Sequence, residues 1–155
     1  MPFSTEIDLV EAALSSLELR ELVEPLVWPM LLTEPRGLFG IPDVVFTEVD
    51  LKGGEWVCNN TAALEMKLRD WRRALTQAFR YRSFAHVVFV VLDAAHAAPA
   101  IRSLDRFRRS NVGLISIDDV SGTAQIHFVP RVSAPRCGRM RSRFTRLVER
   151  HIQQG

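Results

Sequence analysis

The apolar residues of the chain follow two spacings, one typical of amphipathic helices and the other of buried strands. Helices are predicted over about residues 5–19, 70–82 and 136–151, with a further helix opened by Pro99. Strands are predicted over 41–49, 62–67, 86–92, 112–117 and 125–129. Two prolines indicate an irregular edge segment over 22–32, and Lys52-Gly53-Gly54 indicates a hairpin turn. This order predicts an α/β fold with a central mixed β-sheet flanked by helices.

The run from His86 to Leu92 is apolar on both faces, which is typical of a central strand covered on both sides. A helical crossover precedes it, so we expect it to lie parallel to the 62–67 strand. The 155 residues are predicted to form a single domain, residues 1–155, with a core over about 4–130 and a basic C-terminal helix over about 136–152.

The first predicted helix carries a capping box at Thr5 and Asp8. Its apolar stripe is predicted to contain five residues: Ile7, Val10, Ala13, Leu14 and Leu17. Glu6 falls inside this stripe, and Glu11 falls at or beyond its edge. Glu6 is either a first-turn acid that interacts with the helix dipole or a carboxylate directed into a site beneath the helix.

The charge of the chain is divided unevenly between its two halves. Residues 1–66 carry a net charge of −9 and residues 67–155 a net charge of +11, which together give +2. A basic half favours a polyanionic partner, unless the two halves interleave at the surface on folding. Of the 20 basic residues only Lys52 and Lys67 are lysines. Lys67 is the candidate for a role that needs a compact charge, whereas Lys52 precedes a glycine turn.

Several classes of protein are not indicated by the sequence. Its apolar runs are shorter than a membrane-spanning helix, and its acidic N-terminus lacks the basic region of a signal peptide. The two cysteines, Cys58 and Cys137, have neither a metal-binding spacing nor a disulfide pattern. We therefore expect no membrane partner, and a cytoplasmic location.

Three ionisable residues on two predicted strands form the candidate chemical site. Glu65 and Lys67 lie two positions apart, so their side chains share a strand face about 7 Å apart. Asp43 begins the preceding strand and would join them if the two strands pair. Two carboxylates suit Mg²⁺, and a neighbouring lysine suits phosphodiester hydrolysis by activated water. Alternatively, Glu65 and Lys67 form an ordinary ion pair and Asp43 is a strand-entry cap.

Pro42-Asp43, followed about twenty residues later by Glu65-Met66-Lys67, resembles the signature of the PD-(D/E)XK nuclease superfamily. The following helix, with Gln77 and Tyr81, extends the resemblance, which covers about residues 4–118. The resemblance implies a restriction-endonuclease-like fold and a DNA endo- or exonuclease that requires Mg²⁺ or Mn²⁺.

The same resemblance assigns roles to individual residues. Asp43 and Glu65 would bind the metal, with the Met66 carbonyl as a possible further ligand. Lys67 would position or activate the attacking water, and either Glu6 or Glu11 would be the first-helix acid that holds a metal-bound water. Gln77 would support the site or contact the DNA backbone, with help from Tyr81. Alternatively, Gln77 and Tyr81 are packing residues of the helix.

The basic helices supply the expected contacts to DNA. The predicted nucleic-acid-binding residues are Arg72, Arg73, Tyr81, Arg139 and Arg143. Helix arginines of this kind either contact phosphates, which positions a duplex without reading its sequence, or form a solvated face. Specificity would then come from loops, a homodimer or a partner protein. A catalytically inactive nuclease-fold subunit is the alternative function, and the choice between DNA and RNA stays open.

Overall fold

A computed structural model describes residues 2–16 and 29–155 of the chain. The helices are α1 (Glu6–Ser15), α2 (Trp71–Tyr81), α3 (Ala98–Arg102), α4 (Leu104–Ser110) and α5 (Gly138–Gln154), with a 3-10 turn at Ala94–His96. The strands are β1 (Pro29–Thr33), β2 (Val44–Lys52), β3 (Glu55–Lys67), β4 (Val87–Asp93), β5 (Gly113–Ile117) and β6 (Ala124–Phe128). None of the described helices is long and apolar enough to span a membrane.

The strands form one sheet in the order β1-β2-β3-β4-β5-β6. Strand β2 is antiparallel to both of its neighbours, β1 and β3. Strands β4 and β5 continue parallel to β3, and β6 closes the sheet antiparallel to β5. The α/β class, the mixed sheet and the parallel β3–β4 pair were all predicted from the sequence. The mixed arrangement follows from the connections, because α2 carries the chain back between β3 and β4.

Alternate residues of the strands pack into two separate cores. One core contains α2 and α5, through Trp71, Ala74, Ala78, Phe144 and Val148. The other contains α1, whose Leu9 and Ala13 pack against strand residues that include Leu64 and Met66. Because strand side chains alternate between faces, Ala63 and Glu65 point to the α2 side of the sheet.

Helix α1 begins as predicted but is shorter and rotated. The Thr5 hydroxyl accepts from the Asp8 N–H at 3.1 Å, and the Asp8 carboxylate accepts from the Thr5 N–H at 3.0 Å. The helix ends at Ser15, before extended Ser16, and the predicted continuation to residue 19 lies outside the described residues. The predicted inward position of Ile7 is wrong, since that side chain is 70% exposed and Leu9 is buried instead.

The region after β4 also differs from the prediction. The helix expected from Pro99 is divided into α3 and α4, which meet at Ser103. Ile101 on α3 is exposed, while Phe107 on α4 is buried. The break changes the helical register, so one apolar stripe does not continue through both helices.

Strand β3 is longer than the predicted 62–67 segment, because the preceding residues pair with β2 in a hairpin. The turn is made by Gly53 and Gly54, as predicted, and both have positive φ. The expected edge segment over 22–32 is an edge strand over Pro29–Thr33, and its earlier part lies outside the described residues.

Candidate active site

Asp43 lies one residue before β2 and continues its pairing with β3. Its N–H donates to the Leu64 carbonyl at 3.1 Å, and its carboxylate accepts from the Met66 N–H at 2.7 Å. Val44 is paired with Leu64, so Asp43 stands across from Glu65 at the end of the ladder. The Asp43 side chain therefore caps the start of the strand, which is the alternative role considered from the sequence. The same contact places its carboxyl group beside Glu65.

Glu65 is held from the opposite side by α2. Its side chain is almost completely enclosed, with the residue 3% exposed, and the Tyr81 hydroxyl donates to Glu65 Oε2 at 2.5 Å. Tyr81 is itself buried at the end of α2, among residues of the α2 core. This hydrogen bond fixes the orientation of the Glu65 carboxylate, and the other oxygen, Oε1, is directed away from Tyr81.

Lys67 occupies the space between two carboxylates. Its Nζ lies 3.9 Å from Glu65 Oε1 and 3.3 Å from Glu6 Oε2. Glu6 reaches this position because it is the first residue of α1, on the same helical face as buried Leu9 and Ala13. Glu11 is exposed on α1, and no ion pair links it to Lys67 among the described residues. Of the two acids considered from the sequence, Glu6 is the one in contact with the site.

Burial has the largest effect on the pKa values of Glu65, Asp43 and Tyr81. Desolvation raises the pKa of Glu65 to about 7; the Tyr81 hydrogen bond opposes the rise, and the neighbouring Asp43 charge adds to it. Desolvation also raises the pKa of Asp43, partly offset by the Met66 N–H and by Lys67. The pKa of Tyr81 is raised by burial and by its bond to Glu65, so it remains a donor. At neutral pH the two carboxyl groups therefore resist carrying two negative charges at once.

Gln77 lies one helical turn before Tyr81 on α2, on the same helical face. Its Oε1 atom is buried and accepts no hydrogen bond from the described residues. An unpaired buried amide oxygen costs about 1–3 kcal/mol. It is therefore a place where a water or a ligand group would be stabilised.

The donors at this site fit a hard divalent cation that keeps much of its water. Among residues 2–16 and 29–155, no group of three or more His, Cys, Asp or Glu side chains could enclose a metal ion. Asp43 and Glu65 offer two carboxylates, and the Met66 carbonyl points to the same side of β3 as its N–H, toward Asp43. Mg²⁺ commonly binds through one or two carboxylates and retains several waters. The two carboxylates are donors of the type that Mg²⁺ prefers, and they are too few for a closed structural site.

The residues predicted to contact nucleic acid separate into two groups. Arg72, Arg73, Arg139 and Arg143 are exposed on α2 and α5, and the Arg72 guanidinium lies 4.6 Å from the Trp71 ring centroid. Tyr81 differs from the expectation of a contact to nucleic acid. It is 1% exposed because its ring fills the core and its hydroxyl binds Glu65.

The loop from Glu34 to Pro42 was not predicted to belong to the site. The Glu34 N–H donates to the Asp43 carbonyl at 3.1 Å, and the Glu34 charge contributes to the raised pKa of Asp43. At the other end Gly40, with φ of 92°, lies so close to Tyr81 that an added Cβ would be 2.9 Å from its Cε1 atom. Gly37 and Gly40 are typical of a loop, but the contact of Gly40 with Tyr81 joins residues 41 positions apart. No local pattern could have indicated it.

Comparison of the chain with protein-family models, with curated proteins and with solved structures found no match.

Proposed function

We propose that the protein is a metal-dependent nuclease of the restriction-endonuclease-like type that hydrolyses DNA phosphodiester bonds. The observation that carries the proposal is the meeting of Asp43, Glu65 and Lys67 at the end of the β2–β3 ladder. The two carboxyl groups are drawn together in a poorly solvated place, and the pKa of Glu65 is raised to about 7. Strongly perturbed carboxyl groups in such positions are typical of functional sites.

The fold is consistent with the same proposal. The resemblance implies a helix, antiparallel strands bearing the acids, a crossover helix bearing Gln77, and a parallel strand. The described chain contains α1, the β2–β3 hairpin, α2 and β4 in that order. Because α2 follows the Glu65 strand directly, it can hold Glu65 through Tyr81 and bring Gln77 to the same face.

The residues of the site would have separate roles in this reaction. Asp43, Glu65 and the Met66 carbonyl would hold Mg²⁺ or Mn²⁺. When bound, such an ion supplies Lewis-acid polarisation of a phosphate oxygen and lowers the pKa of water.

Lys67 would orient the attacking water or offset phosphate charge, since its ammonium already lies within 4 Å of Glu65. Glu6 restrains Lys67 at 3.3 Å, and Tyr81 keeps the Glu65 carboxylate in one orientation. One site of this kind cuts one strand, so double-strand cleavage would need a homodimer, a partner protein or two successive events.

A second candidate is a catalytically inactive subunit with the same fold. The observation that favours it is the ion-pair network in which Lys67 bridges Glu6 and Glu65. A network of this kind neutralises the buried carboxylate without any metal. Nucleic-acid binding without metal-dependent cutting would support this candidate.

Conversion of supercoiled plasmid to nicked circles in Mg²⁺ or Mn²⁺, compared with EDTA, tests the proposal. Lys67→Ala is expected to lower the rate by about 10²–10⁴-fold, the range for loss of a proton-transfer group. Lys52→Ala is the matched control, because Lys52 is the other lysine of the chain and lies exposed beside Asp50 at the hairpin. Cutting that is insensitive to EDTA, or equal in both variants, would refute the site assignment.

A further inference from the structure

Two partly exposed phenylalanine side chains lie on the α2 side of the sheet, and at least one arginine guanidinium lies over each ring. Phe39 is 54% exposed, with the Arg80 guanidinium 5.3 Å from its ring centroid. Phe79 is 40% exposed, with Arg82 at 5.7 Å and Arg136 at 5.5 Å. We call these five residues the Phe–Arg ridge. Exposed phenylalanines that alternate with guanidinium groups present flat stacking surfaces and positive charge together.

Three chain segments are fixed together to build the ridge. The loop that carries Phe39 packs through Gly40 against Tyr81, the last residue of α2. The segment before α5 is held to the end of α2, since the Arg136 N–H donates to the Arg82 carbonyl at 2.9 Å. The ridge is therefore assembled by backbone and core contacts around the last turn of α2, which carries Phe79 and Arg80.

The arginines of the Phe–Arg ridge form no ion pair with an acidic residue of the described chain. Among the described residues, Arg108 is the one arginine that forms an ion pair, with Asp105 at 3.2 Å. The pKa of Arg82 is lowered first by burial and then by the charges of Arg136 and Arg131. Clustered cations without acidic partners repel one another, and the repulsion is relieved by an anionic ligand.

A second basic surface is an open cleft between the Phe39 loop and α5. The cleft has a volume of about 500 Å³. Its charged lining consists of Arg36, Arg143, Arg146, Arg150 and Glu149. Arg36 is three residues before Phe39, so the same loop contributes to both surfaces. Four guanidiniums against one carboxylate make the cleft suitable for a chain of phosphates.

The ridge is also connected to the candidate active site. Tyr81, which follows Phe79 and Arg80 in the chain, donates to Glu65. The opposite end of the Phe39 loop, at Glu34, donates to the Asp43 carbonyl. A strand lying on the ridge would therefore lie over elements that hold both proposed metal ligands.

We propose that the Phe–Arg ridge and the adjoining arginine cleft bind single-stranded DNA, and that the protein acts on unpaired strands. Bases would stack on Phe39, Phe79 and the guanidinium planes over them, while cleft arginines contact phosphates. A duplex cannot use this surface in the same way, because its base faces are already stacked on one another. The proposal rests on the nuclease function for its substrate class, but the binding itself does not require cutting.

Fluorescence anisotropy in EDTA tests the proposal without any cleavage. The probe is a labelled oligo-dT of about 20 nucleotides, longer than the roughly 4–16 nucleotides of common single-strand sites, and a duplex of the same length is the comparison. We expect tighter binding of oligo-dT than of the duplex, and a steep loss of affinity as salt increases. Equal or tighter binding of the duplex would overturn the proposal.

Single substitutions separate stacking from general electrostatic attraction. Phe39→Ala and Phe79→Ala are each expected to weaken oligo-dT binding by about 5- to 100-fold, the loss of one stacked base. Phe79→Trp should retain binding, because it keeps an aromatic face. Ile7→Ala is the matched control, since Ile7 is an exposed apolar residue on α1, which packs on the other side of the sheet. Unchanged binding in both Phe→Ala variants, with circular dichroism showing that they are folded, would refute the stacking surface.

Arginine variants test the phosphate contacts independently. Arg143→Ala, in the cleft, is expected to reduce the dependence of log affinity on log salt by about 0.7, the value for one single-strand phosphate contact. Arg108→Ala is the control, because that guanidinium is already paired with Asp105. Equal salt dependence in both variants would contradict the assignment of Arg143. Oligo-dT binding without metal-dependent cutting of either single-stranded DNA or supercoiled plasmid would reject the nuclease and retain this surface, whereas nicking without a single-strand preference would do the reverse.

Discussion

Replacing Glu65 by glutamine should stabilise the folded protein while removing a proposed metal ligand. Glu65 has a pKa of about 7 in the folded protein, against an ordinary value of 4.5, because it is desolvated. The folded state therefore keeps the proton to higher pH than the unfolded chain does. The stabilisation from this proton is complete below pH 4.5 and is lost as pH rises through about 7. The shift corresponds to about 3 kcal/mol, and glutamine, which does not ionise, is not subject to that loss.

Urea unfolding of both proteins at pH 5 and pH 8, in EDTA, measures this difference. Wild type should lose up to about 3 kcal/mol relative to Glu65→Gln between the two pH values. For a urea m-value of about 1–3 kcal/mol/M, the midpoint would move by about 1–3 M. The amide oxygen of glutamine can still accept from the Tyr81 hydroxyl, so the substitution removes the charge and keeps the principal contact. Asp43→Asn is a companion variant, and its effect should have the same sign because the pKa of Asp43 is also raised.

Addition of Mg²⁺ at pH 8 then separates a metal site from a plain ion pair. A ligand at about ten times its Kd stabilises the protein that binds it by about 1.4 kcal/mol. Wild type should gain this stability, and Glu65→Gln should gain little. If wild type and variant have the same pH dependence, the buried-carboxylate argument is refuted. If Mg²⁺ stabilises both equally, the ion binds elsewhere and the assignment of Glu65 as a ligand fails.

Three further substitutions test the surroundings of Glu65. Tyr81→Phe removes the hydrogen bond that lowers the pKa of Glu65, so the acidic limb of a pH–nicking profile should move to higher pH, and an unmoved limb would contradict this role. Gly40→Ala should cost about 1–3 kcal/mol in urea unfolding, because a Cβ at φ of 92° would meet Tyr81. Gly37→Ala should cost less, since its φ of 97° is similar but no atom lies within 4 Å of the added Cβ, and equal losses would reject the Tyr81 contact. Glu6→Gln removes one partner of Lys67 and should slow nicking less than Lys67→Ala does; an equal loss would show that the Glu6 charge is essential.

The sequence predicted those parts of the site that depend on strand periodicity. Glu65 and Lys67 share a face because they are two residues apart. Asp43 stands across from Glu65 because an irregularity between Phe46 and Glu48 shifts by one residue the register that the Gly53-Gly54 turn sets. The position of Glu6 was also anticipated, although the stripe used to predict it wrongly included Ile7. Helix periodicity locates the inward face of a helix to within about one residue. This precision was enough to predict the position of Glu6 but not the exposure of Ile7.

The remaining parts of the site depend on contacts that periodicity does not encode. Tyr81 was expected at a surface that binds nucleic acid, yet it is buried at the end of α2, where its hydroxyl donates to Glu65. The approach of Gly40 to Tyr81 and the covering of Phe79 by Arg136 each join residues distant in sequence. Contacts between elements distant in sequence are set by the packing of complete side chains in the core, which residue spacing alone does not describe.

The charges on the α2 side of the sheet are separated by sign, and this separation links the two proposals. Glu65 is buried and Asp43 is half-buried beside it at the end of the β2–β3 ladder, and Lys67 is the one basic residue of the described chain within 4 Å of either carboxylate. The arginines of the Phe–Arg ridge and of the cleft have no carboxylate ion pairs among the described residues. Pairing these arginines with the buried acids would relieve both groups, so the separation leaves electrostatic energy in the folded protein. A divalent cation relieves the acids and a strand of phosphates relieves the arginines, which is the combination of ligands that a single-strand nuclease would bind.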